Sequence, residues 1–277
     1  MTPDEYCRDK TAHSNSNLHY SFMFLPKAKR QALTALYAFY QETNEIVEKC
    51  SDPQIALSKL SWWRQELADT YQGQAHHPVT KAIWPYLSTL KIHTESLEEI
   101  ISGVEMNLSS SRYETFENLQ EYCCKTAGIV SVISTTILGY TDSQTIDYAN
   151  KLGISFQLGN ILRNVGEDAR HNRIYLPMED LAQFNVPAAD ILNAKYTENF
   201  QELMKFEAER IRNLYHAAFK FLPFPDRKLQ IPGLITAAIN LALLDEIELD
   251  GFMVLDHKIA LPPHRKILIA LWVWFKG

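Results

Sequence analysis

KRQALTALYAFYQETNEIVEKC, residues 29–50, decides how this chain is read. Apolar residues recur at i, i+3, i+4 and i+7, the period of an amphipathic helix rather than of a strand. Yet two turns of the same helix carry Glu42, Asn44, Glu45 and Glu48. Residues four apart lie on one helix face, so Asn44 and Glu48 are stacked with Glu45 beside them. The arrangement recurs in NILRNVGED, residues 160–168, where Asn160, Asn164 and Asp168 share a face and Glu167 adjoins Asp168. A solvated helix face would carry more Lys than these segments do. Two such faces opposed across a bundle predict an oxygen-lined cleft.

The helical period continues outward from these stretches. PQIALSKLSWWRQELADTYQG has Pro53 at its start and Gly73 at its end, the usual punctuation of a helix. TESLEEIISGVEMNLSS, FQELMKFEAERIRNLYHAAFKFLP and GLITAAINLALLDEIELDG follow the same period. FENLQEYCCKTAGIVSVISTTILGY is more apolar and predicts a central helix. With 10 glycines in 277 residues, and no repeat or linker, the chain is expected to be one all-α domain, 1–277, of roughly ten helices.

Composition narrows the function. Apolar residues are 46% and charged residues 22%, which supports a sizeable core and argues against disorder. The net charge of −6, without clustered cations, excludes a nucleic-acid-binding face. Cys7, Cys50, Cys123 and Cys124 have no CxxC spacing, so neither a zinc site nor a disulfide framework is expected, and free thiols fit a reducing cytoplasm. MTPDEYCRDK holds no apolar run of the signal-peptide kind, and no segment reaches the ~18 apolar residues of a spanning helix. KILIALWVWFKG reads as a last core helix whose tryptophans also suit a peripheral membrane contact, at the inner membrane face.

An oxygen-lined cleft suits Mg²⁺, which takes carboxylate oxygens, keeps some waters and accepts phosphate oxygens. A metal-held diphosphate is a good leaving group because its developing charge is neutralised. Just past the second acidic face comes ARHNRIYLP, with Arg170, His171 and Arg173. A guanidinium there could grip a diphosphate bidentately. HYSFMFLPKAKR offers His19, Tyr20 and Ser21 ahead of Lys27, Lys29 and Arg30. Tyr122, in the apolar central helix, would need a hydrogen-bond partner, or in a cavity with carbocations could donate a proton or stabilise charge.

HYSFMFLP, ALYAFYQETNEIVE, WWRQEL, EYCCKTAGIVSVI and FQLGNILRNVGEDARHNRIYLP together closely resemble the squalene/phytoene synthase family, from about Tyr6 to Arg265. YCRDK and LLDEIELDGFMVL are similar to its bacterial presqualene diphosphate synthase branch. The resemblance implies the all-α isoprenoid synthase fold, with the active site in a central cavity. It implies head-to-head joining of two farnesyl diphosphates into presqualene diphosphate, with no NADPH required. It assigns about three Mg²⁺ (or Mn²⁺) to Asn44, Glu45, Glu48, Asn164, Glu167 and Asp168. It gives substrate contacts to His19, Tyr20, Ser21, Tyr37, Gln41, Asn160 and Arg173, and catalytic roles to Tyr122, Glu45 and Asp168. Val130 and Ile133 would line the prenyl pocket.

The chain departs from the family pattern where the metal would sit. Aspartate is usual at Asn44, Glu45, Glu48 and Asn164, and arginine at Gln41. An amide offers Mg²⁺ a neutral carbonyl in place of an anion, and glutamate moves the carboxylate outward by one methylene. Two functional classes follow: a working prenyltransferase with altered metal use, or a family member without coupling chemistry that binds a prenyl lipid or acts as an assembly protein.

Overall fold

A computed structural model describes residues 1–12, 18–50, 52–90 and 92–276, and the side chains of Leu18, His19 and Ser109 lie outside what is described. The helices are α1 (Pro3–Ala12), α2 (Leu18–Phe22), α3 (Lys27–Lys49), α4 (Pro53–Tyr71), α5 (Pro78–Leu90), α6 (Thr94–Ser109), α7 (Phe116–Cys123), α8 (Ile129–Leu138), α9 (Gln144–Arg170), α10 (Met178–Gln183), α11 (Ala188–Leu192), α12 (Glu198–Lys220), α13 (Ile231–Leu249) and α14 (Pro263–Lys276). Among the described residues there is no strand, only a parallel bridge between Arg112 and Ile174. The chain is all-α, as the helical period implies.

The core forms two apolar bodies. One gathers α1 and α3–α6 with α8, around fully buried Leu33, Leu36, Phe39 and Leu60. The other gathers α7, α9 and the later helices, around Tyr148, Phe200, Leu203 and Tyr215. α3 shows how the sequence builds them. Leu33, Leu36, Phe39, Thr43 and Val47 are buried at three- to four-residue spacing. Burial of an aromatic such as Phe39 is worth about 3–5 kcal/mol against alanine.

The predicted central helix is a continuous rod, α7 and α8 joined by a single π turn, Cys124–Gly128. It crosses between the two bodies, with Tyr122 and Cys123 in one and Val130 and Ile133 in the other. Glycines on its neighbours make room for the widened turn. A Cβ on Gly103 of α6 would lie 2.6 Å from the Lys125 carbonyl oxygen, and one on Gly153 of α9 would lie 2.3 Å from that of Ala127. Such approaches admit only glycine.

Candidate active site

α3 and α9 both pack against α8, and a cavity of about 110 Å³ lies among them, between the two core bodies. Leu33, Tyr37 and Tyr40 face it from α3, Val130 and Ser134 from α8, and Leu152, Phe156 and Asn160 from α9. Phe22 and Pro232 close it from α2 and α13. The walls are mostly apolar, the character of a pocket for a hydrocarbon ligand. Val130 lines the cavity as expected, whereas Ile133 is not among its lining residues and is buried in the core body beside α3.

Both acidic stretches run on from the cavity wall. Tyr40 lines it and Asn44 follows four residues on; Asn160 lines it and Asn164 follows four residues on. The same helix face therefore passes from pocket to polar cleft on each side. Glu48 and Asp168 sense one another across the cleft. The Asp168 carboxyl, half-buried, is pushed up to about 7 by desolvation first, then by the Glu167 and Glu48 carboxylates, against Arg173 and Lys258. Glu48 lies at the exposed mouth, and its carboxyl is also raised, by desolvation and by Glu45, against Arg173.

Arg173 is placed by the turn that leaves α9. Asn172 adopts φ +58°, the left-handed helix stop that asparagine tolerates, and its N–H donates to the Ala169 carbonyl. The Arg112 guanidinium donates to the Asn172 carbonyl at 2.7 Å, and the Ile174 N–H donates to the Ser111 carbonyl at 3.1 Å. So held, Arg173 meets the charges of Glu48 and Asp168 and hydrogen-bonds Tyr175. The Tyr175 hydroxyl donates to Asn107 Oδ1 at 2.9 Å, and Asn107 Nδ2 donates to the Tyr122 hydroxyl at 3.1 Å. Tyr113, Tyr122 and Tyr175 cluster with ring centroids 5.4–5.8 Å apart. Tyr122 thus has the partner its burial demands, and burial raises its hydroxyl well above the ordinary range. It is absent from the cavity lining.

The remaining sequence-named residues divide. Glu45 is drawn aside by Lys10 at 3.0 Å and Lys49 at 2.6 Å. Against partial desolvation, those ammonium groups hold its carboxyl below the usual range. Glu167 is exposed and paired with Lys258 at 2.8 Å, which lowers it likewise. Asn44 Nδ2 donates to Glu48 Oε1 at 2.6 Å, and Asn164 Oδ1 accepts from Arg163 Nε at 3.0 Å. Gln41 carries a buried Oε1 with no donor. Ser21 bonds Thr236, a cavity residue, at 2.7 Å, and Tyr20 lies under Lys266, 5.6 Å from ring to Nζ. His19 is in α2, and its side chain lies outside the described residues.

Sequence reasoning missed the cations that enter from elsewhere: Lys10 from α1, Lys258 from the loop before α14, and Lys266 from α14 itself. Arg163 was in plain view inside NILRN. Desolvation lowers both Arg163 and Lys266, and Lys266 is lowered further by the Arg163 charge, so two cations share the edge of the cleft. An anion would relieve both.

The donor set can be tested against the metal requirement. Of the four carboxylates, Glu45 and Glu167 are neutralised by lysines, which leaves Glu48 and Asp168 with the amides of Asn44 and Asn164 and the orphaned Gln41 oxygen. Two carboxylates and neutral oxygens suit one divalent cation, and not the three that the resemblance implies. Among the described residues, the one group of three acid or His ligand atoms within 4.8 Å of one another is Glu66, Asp69 and His76, on α4 and the loop after it. There Glu66 Oε1 already accepts from His76 N, His77 N and Thr80 Oγ1 at 2.5–2.8 Å, which ties α4 to the start of α5.

The squalene/phytoene synthase family profile matches residues 11–265. The chain belongs to the squalene/phytoene synthase family. A phytoene synthase of Arthrospira platensis is 34% identical over 95% of this chain and 90% of its own length. A 15-cis-phytoene synthase of Synechocystis is 31% identical over 99% and 85%. Among solved structures, a dehydrosqualene synthase in complex with ligand superposes with a TM-score of 0.87 at 25% identity, covering 99% of this chain and 96% of that one. Squalene synthase HpnC of Alicyclobacillus acidocaldarius gives 0.78 at 23% identity, over 90% and 94%, which supports the shared fold. The family is of the prenyltransferase type and uses divalent metal.

Proposed function

We propose that this family member, a single synthase-like domain over 1–277, joins two farnesyl diphosphates head to head, releasing diphosphate and forming presqualene diphosphate. The supporting observation is the continuity of cavity and cleft. The mostly apolar pocket reaches Tyr40 and Asn160, and on each helix the same face carries an amide, Asn44 or Asn164, one turn further on. A prenyl chain would lie along Tyr37, Val130 and Phe156, with its diphosphate among Asn160, Arg173 and the Arg163–Lys266 pair. Asn44, Glu48, Asn164 and Asp168 would hold the divalent cation, Mg²⁺ or Mn²⁺, which when bound neutralises charge on the departing diphosphate. Arg173 would take up the same charge from the other side, as a bidentate donor. Tyr40 and Tyr37 would offer ring faces to the allylic cation. Tyr122 would act through Asn107 and Tyr175, keeping that hydroxyl oriented towards Arg173.

A second reading has its own support: the lysines on Glu45 and Glu167 and the amides at 44 and 164 leave a weak metal site. Under it the chain binds a prenyl lipid without coupling it. Incubation of the purified protein with farnesyl diphosphate and millimolar Mg²⁺ or Mn²⁺ separates the two. Presqualene diphosphate and free diphosphate are the expected products. Absence of both, with farnesyl diphosphate still bound, refutes the coupling reaction in favour of the second reading.

A further inference from the structure

α14 has two unlike faces. Ala270 and Val273 are buried against the bundle, and Trp274 stacks on Phe24 with centroids 5.2 Å apart and planes 17° apart. On the outward face Leu268, Trp272 and Phe275, spaced by four and three residues, are 62%, 59% and 77% exposed. Met23, in the turn after α2 and next to Phe24, is also exposed, at 42%.

The two segments that form it carry charge of one sign only. Residues 18–30 and 257–276 contain seven Lys and Arg and no Asp or Glu, whereas the other positions carry 20 Lys and Arg against 33 Asp and Glu. Arg265 and Lys258 are paired with Glu246 and Glu167. Lys27, Arg30 and Lys276 are exposed and pair with no carboxylate among the described residues. Lys276 lies over the Trp272 ring, 4.3 Å from its centroid. An exposed Leu/Trp/Phe stripe edged by lysine, with no acid, is the pattern of a helix lying in a lipid interface. A second copy of this chain is a poor occupant, because a two-fold contact through the patch would set its cations against themselves.

We propose that α14 and the turn between α2 and α3 dock on an anionic lipid surface. The docking face backs onto the cavity. Phe22 lines the pocket, and Phe24, two residues later, is the ring that Trp274 covers. A bilayer against α14 would therefore lie one helix away from the apolar pocket, and a long-chain isoprenoid leaving past Phe22 would meet acyl chains before water. That exit rests on the proposed coupling reaction. The docking does not.

The test is co-sedimentation of the full chain with vesicles of phosphatidylcholine alone or of phosphatidylglycerol and phosphatidylcholine, one to two. Binding is expected on the anionic vesicles and should weaken as salt is raised. The pair Trp272→Glu and Phe275→Glu should lower partitioning by roughly tenfold or more. Lys27→Glu with Arg30→Glu should lower it on anionic vesicles. Ile55→Glu, an exposed site on α4 in the other core body, should leave it unchanged. Circular dichroism and melting confirm that each variant is folded. No sedimentation with anionic vesicles, or undiminished binding by the Trp272/Phe275 variant, overturns the proposal. So does a dimer in light scattering that this variant dissolves. Product formation is not read in this assay, so failure of the coupling reaction leaves its outcome unaffected.

Discussion

The Asn44→Asp variant probes the cleft through stability, without needing turnover. Asn44 Nδ2 donates to Glu48 Oε1 at 2.6 Å. Aspartate there replaces a donor with a second carboxylate. If the two groups relax to about 4 Å, their repulsion is about 1 kcal/mol at the dielectric of water and about 4 kcal/mol near a protein surface. Glu48 is exposed at the cleft mouth, so the lower end applies, about 1–2 kcal/mol. The lost charge-assisted hydrogen bond brings the total to about 2–3 kcal/mol. For a chain of this size each kcal/mol shifts the melting temperature by about 2–4 °C, so a drop of about 4–12 °C is expected in EDTA. Millimolar Mg²⁺ should recover most of it, because a cation shared by residues 44 and 48 binds the folded state alone. Wild type should gain less from the same Mg²⁺. Differential scanning fluorimetry in EDTA and in Mg²⁺ reads all four values. If the variant melts with wild type in EDTA and Mg²⁺ lifts both equally, residue 44 does not face the acidic pair and the metal assignment fails.

Two further perturbations reach other parts of the molecule. Asp168 ordinarily titrates near 3.8 and here is pushed up to about 7, so between those values the folded state holds a proton that the unfolded chain has lost. Its stabilising contribution is full below about pH 4 and gone once pH has risen through about 7. Metal-free protein should therefore lose urea stability from pH 5 to 8, and Asp168→Asn should flatten that slope. An unchanged slope would remove Asp168 as its source. Arg210 donates to Asp180 at 2.7 and 3.0 Å and to Glu207 at 3.0 Å, between the rings of Phe116 and Phe206. Arg210→Ala strands two acids that are each 3% exposed, at a cost of about 3–5 kcal/mol in urea unfolding. A loss below about 1 kcal/mol would mean that the acids are protonated already.

What was legible in the sequence was what repeats locally. The 3.6-residue period of 29–50 became α3 with its buried stripe, and NILRNVGED became the last turns of α9, because neighbours along a helix share a face whatever surrounds them. The cation environment was not legible. Lys10 and Lys258 reach Glu45 and Glu167 from distant segments, and nothing in either acidic stretch announces them. The resemblance assigns Tyr122 to the reacting carbons; its place on the Asn107–Tyr175 chain depends on three separate segments. Glu66 stood unremarked inside WWRQEL, since its task of capping the next helix becomes visible only when His76 and His77 fold back on it. CKTAG looks like ordinary helix, and only the glycines of two other helices reveal the wider turn.

That turn has a consequence for how this chain can change. One surplus residue in an ordinary α-helix would advance everything after it by about 100°. A π turn winds the surplus into itself, so α8 beyond it keeps nearly the register of α7. Deleting a single residue from 124–128 would close the turn to ordinary α-helix and leave Val130 and Ser134 near the pocket wall. The same deletion between Val130 and Ser134, where no wider turn absorbs it, would swing Ser134 about 100° off that wall. Length is therefore loosely constrained in the turn and tightly constrained in the helix after it, where an altered pocket would be reached most abruptly by a change in count rather than in chemistry.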